Sequence, residues 1–230
     1  MDFLSSASLL ALVNILFTNI LLSGDNAVVI AMASKNLPQE NQKKAIFWGS
    51  ALAIVLRVVL TLGAVQLLNL PYIKIVGAIL LIYIGAQLLA DQDDTDEIAG
   101  HHSLWSAVRT ILIADLIMSI DNVVAVAACA NDAPEAMRIP LILLGLCLSI
   151  PLIIFGSTLL LKIMEKFPVI ISIGAALLGY LAGEMFVQDQ AINGVLANWL
   201  GQSEIPFQIL GVVLVFGFGF ILKRSARNQT

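Results

Sequence analysis

Asn19-Ile-Leu-Leu-Ser23-Gly24-Asp25-Asn26-Ala-Val-Val-Ile-Ala31 is answered further along the chain by Asp115-Leu-Ile-Met-Ser119-Ile120-Asp121-Asn122-Val-Val-Ala-Val-Ala127. A shift of 96 residues lays one stretch on the other, with Asp115 on Asn19, Ser119 on Ser23 and the two Asp-Asn pairs in register. Each stretch sits in an apolar run of roughly 20 residues, the length a helix needs to cross a hydrocarbon core of about 30 Å. An Asp in such a run costs about 2.5–3.5 kcal/mol on insertion scales, which makes it a functional-site candidate by default.

Composition supports a membrane setting. The 230 residues are 59% hydrophobic and 12% charged, against about 45–50% and about 25% in soluble domains. The charges gather in short polar segments between apolar runs of spanning length, the pattern of a polytopic α-helical membrane protein. The net charge of −4 matters less than where the charges fall. Cys129 and Cys147 both lie in apolar spans and read as small packing residues, since a zinc site would need more ligands at closer spacing. Met1 to Leu22, with Ala31-Met-Ala33 as a nominal cleavage site, lacks the basic start of a signal peptide and is expected to be a retained first helix.

Seven spans are expected, at roughly 10–33, 46–69, 71–90, 108–130, 139–162, 168–188 and 206–223. Pro38, Pro71 and Pro168 mark boundaries, because proline cannot donate to a helix and restricts the residue before it. Pro151 falls inside the fifth span and is expected to kink it. Lys35, Lys43, Lys44, Arg109, Lys162, Lys166, Lys223, Arg224 and Arg227 share one side if the N-terminus is outside. Basic residues favour the cytoplasmic side, so the expected orientation is N-terminus out and C-terminus in.

The repeat continues past the Asp-Asn stretch. Pro71-Tyr-Ile-Lys-Ile-Val-Gly77-Ala78 aligns with Pro168-Val-Ile-Ile-Ser-Ile-Gly174-Ala175 at a shift of 97, which also sets Tyr83 on Tyr180 and Gln87 on Glu184. Three spans per half is an odd number, so the halves enter the membrane from opposite sides. The expected architecture is therefore all-α, with two inverted-topology three-helix repeats and one added C-terminal helix. Such folds place substrate near the midplane at the repeat interface. The divisions are 1–90, a linker at 91–107, a second repeat at 108–188, and 189–230 with the seventh helix and a basic tail. The linker, Asp91 to His102, carries five acids and both histidines; it fails the calcium-loop pattern and reads as a solvated connection, with weak metal capture as the alternative.

Asn19, Ser23 and Asn26, at steps of four and three, share a helix face that Asp115, Ser119 and Asn122 repeat. Hydroxyls and amides on such a face also serve as interhelical glue, at roughly 1 kcal/mol each. The repeated acids are harder to explain that way. Asp25, Asp115, Asp121 and Glu184 lie within spans against one cation, Arg57. Bilayer interiors do not hold several unpaired charges, so some carboxylates must be protonated or must coordinate a cation. Carboxylate, amide, hydroxyl and carbonyl oxygens, without His or Cys, suit Mg²⁺, Ca²⁺ or Mn²⁺ rather than Zn²⁺ or Cu⁺. Arg57 reads either as a structural partner of Asp115, the acid with no counterpart in the first half, or as an internal cation that yields to metal. Glu184, Gln87, Asn19, Ser23 and Ser119 are second-rank candidates for completing or gating the site. Gly24 offers an easy break beside Asp25, whereas Ile120 does not, so a symmetric pair of broken helices is not expected.

Ser23-Gly-Asp25-Asn26-Ala-Val-Val-Ile-Ala and Asp115-Leu-Ile-Met-Ser-Ile-Asp121-Asn122-Val-Val-Ala-Val-Ala resemble the paired motifs of the TerC family, in its short YjbE-type form. The resemblance covers the first six spans. It implies a bacterial inner-membrane protein of the broader LysE-like exporter group, several members of which are linked to manganese efflux and others named for tellurium resistance. Asp25, Asn26, Asp115, Asp121 and Asn122 match motif positions and are implied metal ligands. The expectation is export of a divalent cation, Mn²⁺ first, as substrate, with no permanent cofactor, no nucleic-acid partner and no enzymatic activity. No Gly-Lys-Ser/Thr loop suggests ATP drive, and no Ser-His or His-Glu-x-x-His arrangement lies in a span. The alternatives are a LysE-like small-molecule exporter, and a non-transporting membrane partner that stabilises or metallates other proteins.

Overall fold

The computed structural model describes residues 6–67, 71–91, 103–130, 133–192, 194 and 204–227, and the side chains of residues 7, 62–67, 121 and 225–227 lie outside that description. The acidic and histidine-bearing segment 92–102 therefore also falls outside the described residues.

Among the described residues the long elements are all helices: α1 (Ser6–Leu21), α2 (Gly24–Ser34), α3 (Gln39–Leu67), α4 (Ile73–Ala90), α5 (Leu104–Ala130), α6 (Glu135–Lys166), α7 (Val169–Val187) and α8 (Ile205–Arg227). The protein is an all-helical membrane protein. Five helices are long and apolar enough to cross a membrane singly, and counting each of two bent pairs as one span gives seven. The expected span limits fall within a few residues of these elements, except that α3, α5 and α6 extend further at their polar ends. Pro140 and Pro151 both lie inside α6, which continues through them as one helix.

Span one is interrupted: α1 and α2 meet at 44° across Leu22 and Ser23. The second copy bends too, by 57° between Leu104–Ile120 and Asn122–Ala130, although α5 stays helical throughout. The helix is interrupted only in the glycine-bearing copy, while the second copy bends without breaking. A true break frees carbonyls and needs new donors for them, whereas a bend that keeps the helical ladder needs no glycine.

The helices gather into two compact units. Unit 1 comprises Met1–Ser34, Gln39–Leu68 and Leu104–Leu160, and unit 2 comprises Lys35–Pro38, Asn69–Ser103 and Leu161–Thr230. Packing thus groups the chain differently from its sequence order: each unit takes helices from both expected repeats. Helices that the sequence shift equates, α3 with α6 and α4 with α7, contribute to the same unit, α6 for most of its length.

In unit 1, α5 runs antiparallel to α1–α2, since Thr18 lies against Cys129 and Leu22 against Asn122. Leucine, isoleucine and alanine positions such as Ala11, Ile15, Ile30, Ile111 and Leu146 are sealed inside, while Phe17, Val55 and Phe155 point outward. An outward apolar belt is what lipid requires of a span. In unit 2, α7 and α8 approach through glycine, where a Cβ on Gly179 would lie 2.7 Å from the Gly211 carbonyl oxygen and from Val212 Cα. Close backbone contact of this kind replaces the hydrophobic drive that lipid cannot supply.

α4 starts without a cap of its own. Tyr72, at its N-cap, has φ 67° and no side-chain capping bond, a conformation rarely adopted by a bulky residue. Asp189, buried after the end of α7, supplies the missing acceptors: it takes the N–H of Tyr72 at 3.1 Å, Lys74 at 3.1 Å and Ile75 at 3.3 Å, and that of Ala191 at 2.9 Å. Burial pushes the Asp189 carboxyl up, and these four amide donors more than offset it, leaving it below the usual carboxylate range. The orphan amides of one helix start are satisfied by a remote carboxylate.

Candidate functional site

Arg57 lies midway along α3, fully enclosed at 1% exposure. A buried guanidinium is tolerable only if its donors are matched and its charge is met. Unit 1 does both. Nη2 donates to Asp115 Oδ1 at 2.7 Å, closing an ion pair. Nη1 donates to Asn19 Oδ1 at 2.8 Å and Ser23 Oγ at 3.0 Å, and Nε donates to Ser119 Oγ at 3.0 Å. Four of its five N–H donors are thus placed. Ser119 Oγ in turn donates to the second Asp115 oxygen at 3.2 Å. Asn19 uses its other end on Ser149 of α6, at 2.5 Å, and Ser149 donates on to the Leu146 carbonyl at 2.7 Å.

This network explains the asymmetry of the doubled motif. The motif position held by Asn19 in one copy and Asp115 in the other converges on a single guanidinium. One copy supplies the neutral acceptor and the other the charge, so Arg57 is neutralised once rather than twice. Asn19, Ser23, Asp115 and Ser119 are all brought together, and Arg57 occupies the oxygens that a metal would need.

The Asp-Asn pairs lie beside this cluster. Asp25 sits in the first turn of α2, partly exposed, with Oδ1 accepting the Asn26 N–H at 2.7 Å. A carboxylate there meets the positive end of the half-helix. Asn26 is buried with both amide atoms lacking a hydrogen-bond partner among the described residues. Asn122 reaches across to the broken first span and donates to the Leu22 carbonyl at 3.1 Å. It therefore serves as the external donor for the interruption in the other copy. Asp121 continues the backbone of α5, and its side chain lies outside the described residues. Glu184 and Gln87 belong to unit 2, on α7 and α4; Gln188 donates to Glu184 Oε1 at 3.3 Å.

Among the described residues no three His, Cys, Asp or Glu side chains converge as a metal cage. The cluster offers instead two carboxylates with amide and hydroxyl oxygens, a hard donor set. Both cysteines are free. Two participants escaped the sequence reading. Ser149 carries no period or motif that links it to Asn19. Asp189, which caps the start of α4 in unit 2, lies outside every repeat alignment.

Comparison with known proteins agrees with the motif. The chain matches the integral membrane protein TerC family over residues 4–229. It is similar to the "Uncharacterized membrane protein YjbE" of Bacillus subtilis (strain 168), 44% identical over 207 residues that cover 90% of this chain and 92% of that protein. It is also similar to YkoY of the same organism, 27% identical over 176 residues covering 70% and 54% of the two chains. The "UPF0053 inner membrane protein YoaE" of Escherichia coli (strain K12) is 27% identical over 169 residues, covering 64% of this chain and 33% of that protein. No solved structure matches the chain. A motif doubled across two antiparallel half-sites, and a match over almost the whole sequence, make this chain a member of the TerC family of integral membrane proteins.

Proposed function

We propose that this protein is a membrane transporter that exports a divalent cation, Mn²⁺ foremost, through the unit 1 cluster, without covalent chemistry. The observation that carries this reading is the position of Arg57, a tethered cation held by four oxygen-bearing side chains from α1, the α1–α2 break and α5. A nest that stabilises one positive charge in the middle of a membrane can stabilise another if the first withdraws. In this scheme Asp25, Asn26, Asp115, Asp121 and Asn122 receive the ion, with Asn19, Ser23 and Ser119 released to it as Arg57 leaves. Each carboxylate that gains the metal loses a proton or the guanidinium, so metal entry and charge balance are linked.

The arrangement favours a cation over a zwitterionic cargo. A zwitterionic cargo needs a partner for its carboxylate as well as for its ammonium, and the acids of the spans outnumber Arg57. The basic residues near α2, α6 and α8 support the proposed orientation in the bacterial inner membrane, with the N-terminus outside and the α2–α3 turn on the cytoplasmic face.

Vesicles containing only this protein, loaded with a metal-sensitive dye, test the proposal. Wild-type vesicles are expected to admit Mn²⁺ faster than empty ones. Asp25→Asn is expected to lose that flux while inserting normally and unfolding within about 1 kcal/mol of wild type, because Asp25 is partly exposed and supports little structure. Wild-type vesicles no more permeable to Mn²⁺, Mg²⁺ or Ca²⁺ than empty ones would refute it.

A further inference from the structure

Breaking a membrane helix strands backbone groups that lipid cannot satisfy, so every break needs replacement partners. In an unbroken helix the Asn26 N–H would serve the Leu22 carbonyl one turn back. Here it turns to the Asp25 carboxylate instead, at 2.7 Å, and the Leu22 carbonyl takes Asn122 Nδ2 from α5 at 3.1 Å. The two copies of the motif thus share one task. Asp25 takes the amide that the break releases, and Asn122 serves the carbonyl left behind.

The same parts exist in reverse. A shift of 96 sets Met118 on Leu22 and Asn122 on Asn26. Packing reaches the same pair independently. α5 runs antiparallel to α1–α2 with Asn122 against Leu22, so one turn forward from Leu22 is level with one turn back from Asn122. Asn26 is therefore level with Met118. In a helix the Met118 carbonyl is served by the Asn122 N–H, and α5 stays helical there although it bends by 57° between Leu104–Ile120 and Asn122–Ala130. Asn26, at 3% exposure, has neither amide atom hydrogen-bonded among the described residues. Buried amides are seldom left so, and each case calls for a reason. Nor does the break depend on a glycine conformation. Gly24 lies outside the left-handed region, and a Cβ added to it would meet nothing within 4 Å. Ile120, its counterpart, raises the cost of the same break without barring it.

We propose that Asn26 is the positioning residue for a second break, at Met118 in α5, and that the two breaks alternate. In the alternate form α1–α2 closes into one helix, Asn122 is released from Leu22, and Asn26 Nδ2 donates to the Met118 carbonyl. Asp121 then takes the Asn122 N–H, as Asp25 takes that of Asn26 here. Each Asn gives its nitrogen to the break in the other copy and keeps its oxygen for an ion. In inverted-repeat transporters one half moves against the other around a midplane site, and exchanging the breaks would carry Asp25 and Asp121 through such a cycle. That use rests on the transport reading above; the exchange itself does not.

Spin-label distances across the α5 bend test it without metal. In a Cys129→Ala, Cys147→Ala background, nitroxides are placed at Arg109→Cys and Ala128→Cys, both exposed positions on α5. Asn122→Ala removes the donor that holds the present form, so a second α5 distance is expected to gain about fivefold in population, the worth of one hydrogen bond. Adding Asn26→Ala is expected to abolish that gain, whereas an Asn122 that merely supports structure would act the same with or without Asn26. An α5 distribution unmoved by Asn122→Ala, or moved equally in the double variant, would overturn the proposal. If Asn122→Ala does not insert, Asn122→Leu, of similar size and without a donor, replaces it. If neither inserts, wild type against Asn26→Ala decides: a minor α5 distance lost in the variant supports the exchange, and identical distributions overturn it. Wild-type vesicles without Mn²⁺ flux, in a protein that shows the exchange, would refute the cargo reading alone.

Discussion

Replacing Arg57 by Gln tests the charge argument at its centre. The wild-type guanidinium is enclosed, and its four bonds are between 2.7 and 3.0 Å long. Gln keeps a polar head but cannot reach or neutralise all four acceptors. Asp115, 5% exposed, is left as a buried acid whose remaining neighbour donor is Ser119. Breaking one side of a buried pair costs about 3–5 kcal/mol, because the stranded charge is the expensive product. For a chain of this size that corresponds to a fall in melting temperature on the order of 10 °C. Asp115→Asn should cost a comparable amount by stranding Arg57 instead. Changing both together should restore much of the loss, since neither charge is then alone, and the coupling between the sites should be about 2 kcal/mol or more. The measurement is thermal unfolding of the purified single and double variants in detergent. A fall of under about 3 °C in Arg57→Gln, or strictly additive losses in the double variant, would refute the pairing as the organising charge of unit 1.

Asp189→Ala should destabilise by about 1 kcal/mol or somewhat more through loss of the α4 cap, measured by the same unfolding assay. Because the folded carboxyl lies below its ordinary value, its contribution is present above the unfolded value near pH 4 and is lost as pH falls through the folded one; the Ala variant should lack that acid-dependent step. Gly179→Ala should loosen unit 2 by about 1–3 kcal/mol, since its new methyl meets backbone that cannot yield, whereas Gly217→Ala, with open space around it, should unfold like wild type. Neutralising the five linker acids and replacing His101 and His102 by Ala should leave Mn²⁺ flux within about twofold of wild type if the linker is only solvated; loss of flux at low metal with recovery at high metal would assign it a collecting role.

Much of the site was legible because membranes make charge conspicuous. One cation among several intramembrane acids had to be paired, and Asp115 stood out as the acid facing an Asn in the other copy; the 2.7 Å ion pair joins those two residues. The helix face shared by Asn19 and Ser23 was visible in steps of four, but not what it would face. Three acceptors beside Asp115 converge on Arg57 because a guanidinium reaches further than any period encodes. The close approach of Gly179 to Gly211 of α8 rests on two glycines in helices far apart in sequence, which no local period links. The bend in α5 was hidden because Ile120 disfavours a break and the helix curves without one. Asp189 was hidden for a different reason: capping across 117 residues leaves no pattern in either local sequence.

That remote cap also sets an order of events during synthesis. α4 emerges long before the residue that completes its first turn, and Tyr72 has no local reason to hold its left-handed conformation. At roughly 5–20 residues per second, the separation of 117 between Tyr72 and Asp189 takes about 6–23 s to span. Throughout that interval the start of α4 must be tended by water, lipid headgroups or the insertion machinery. The start of α4 is thus completed only when the segment after α7 has been made.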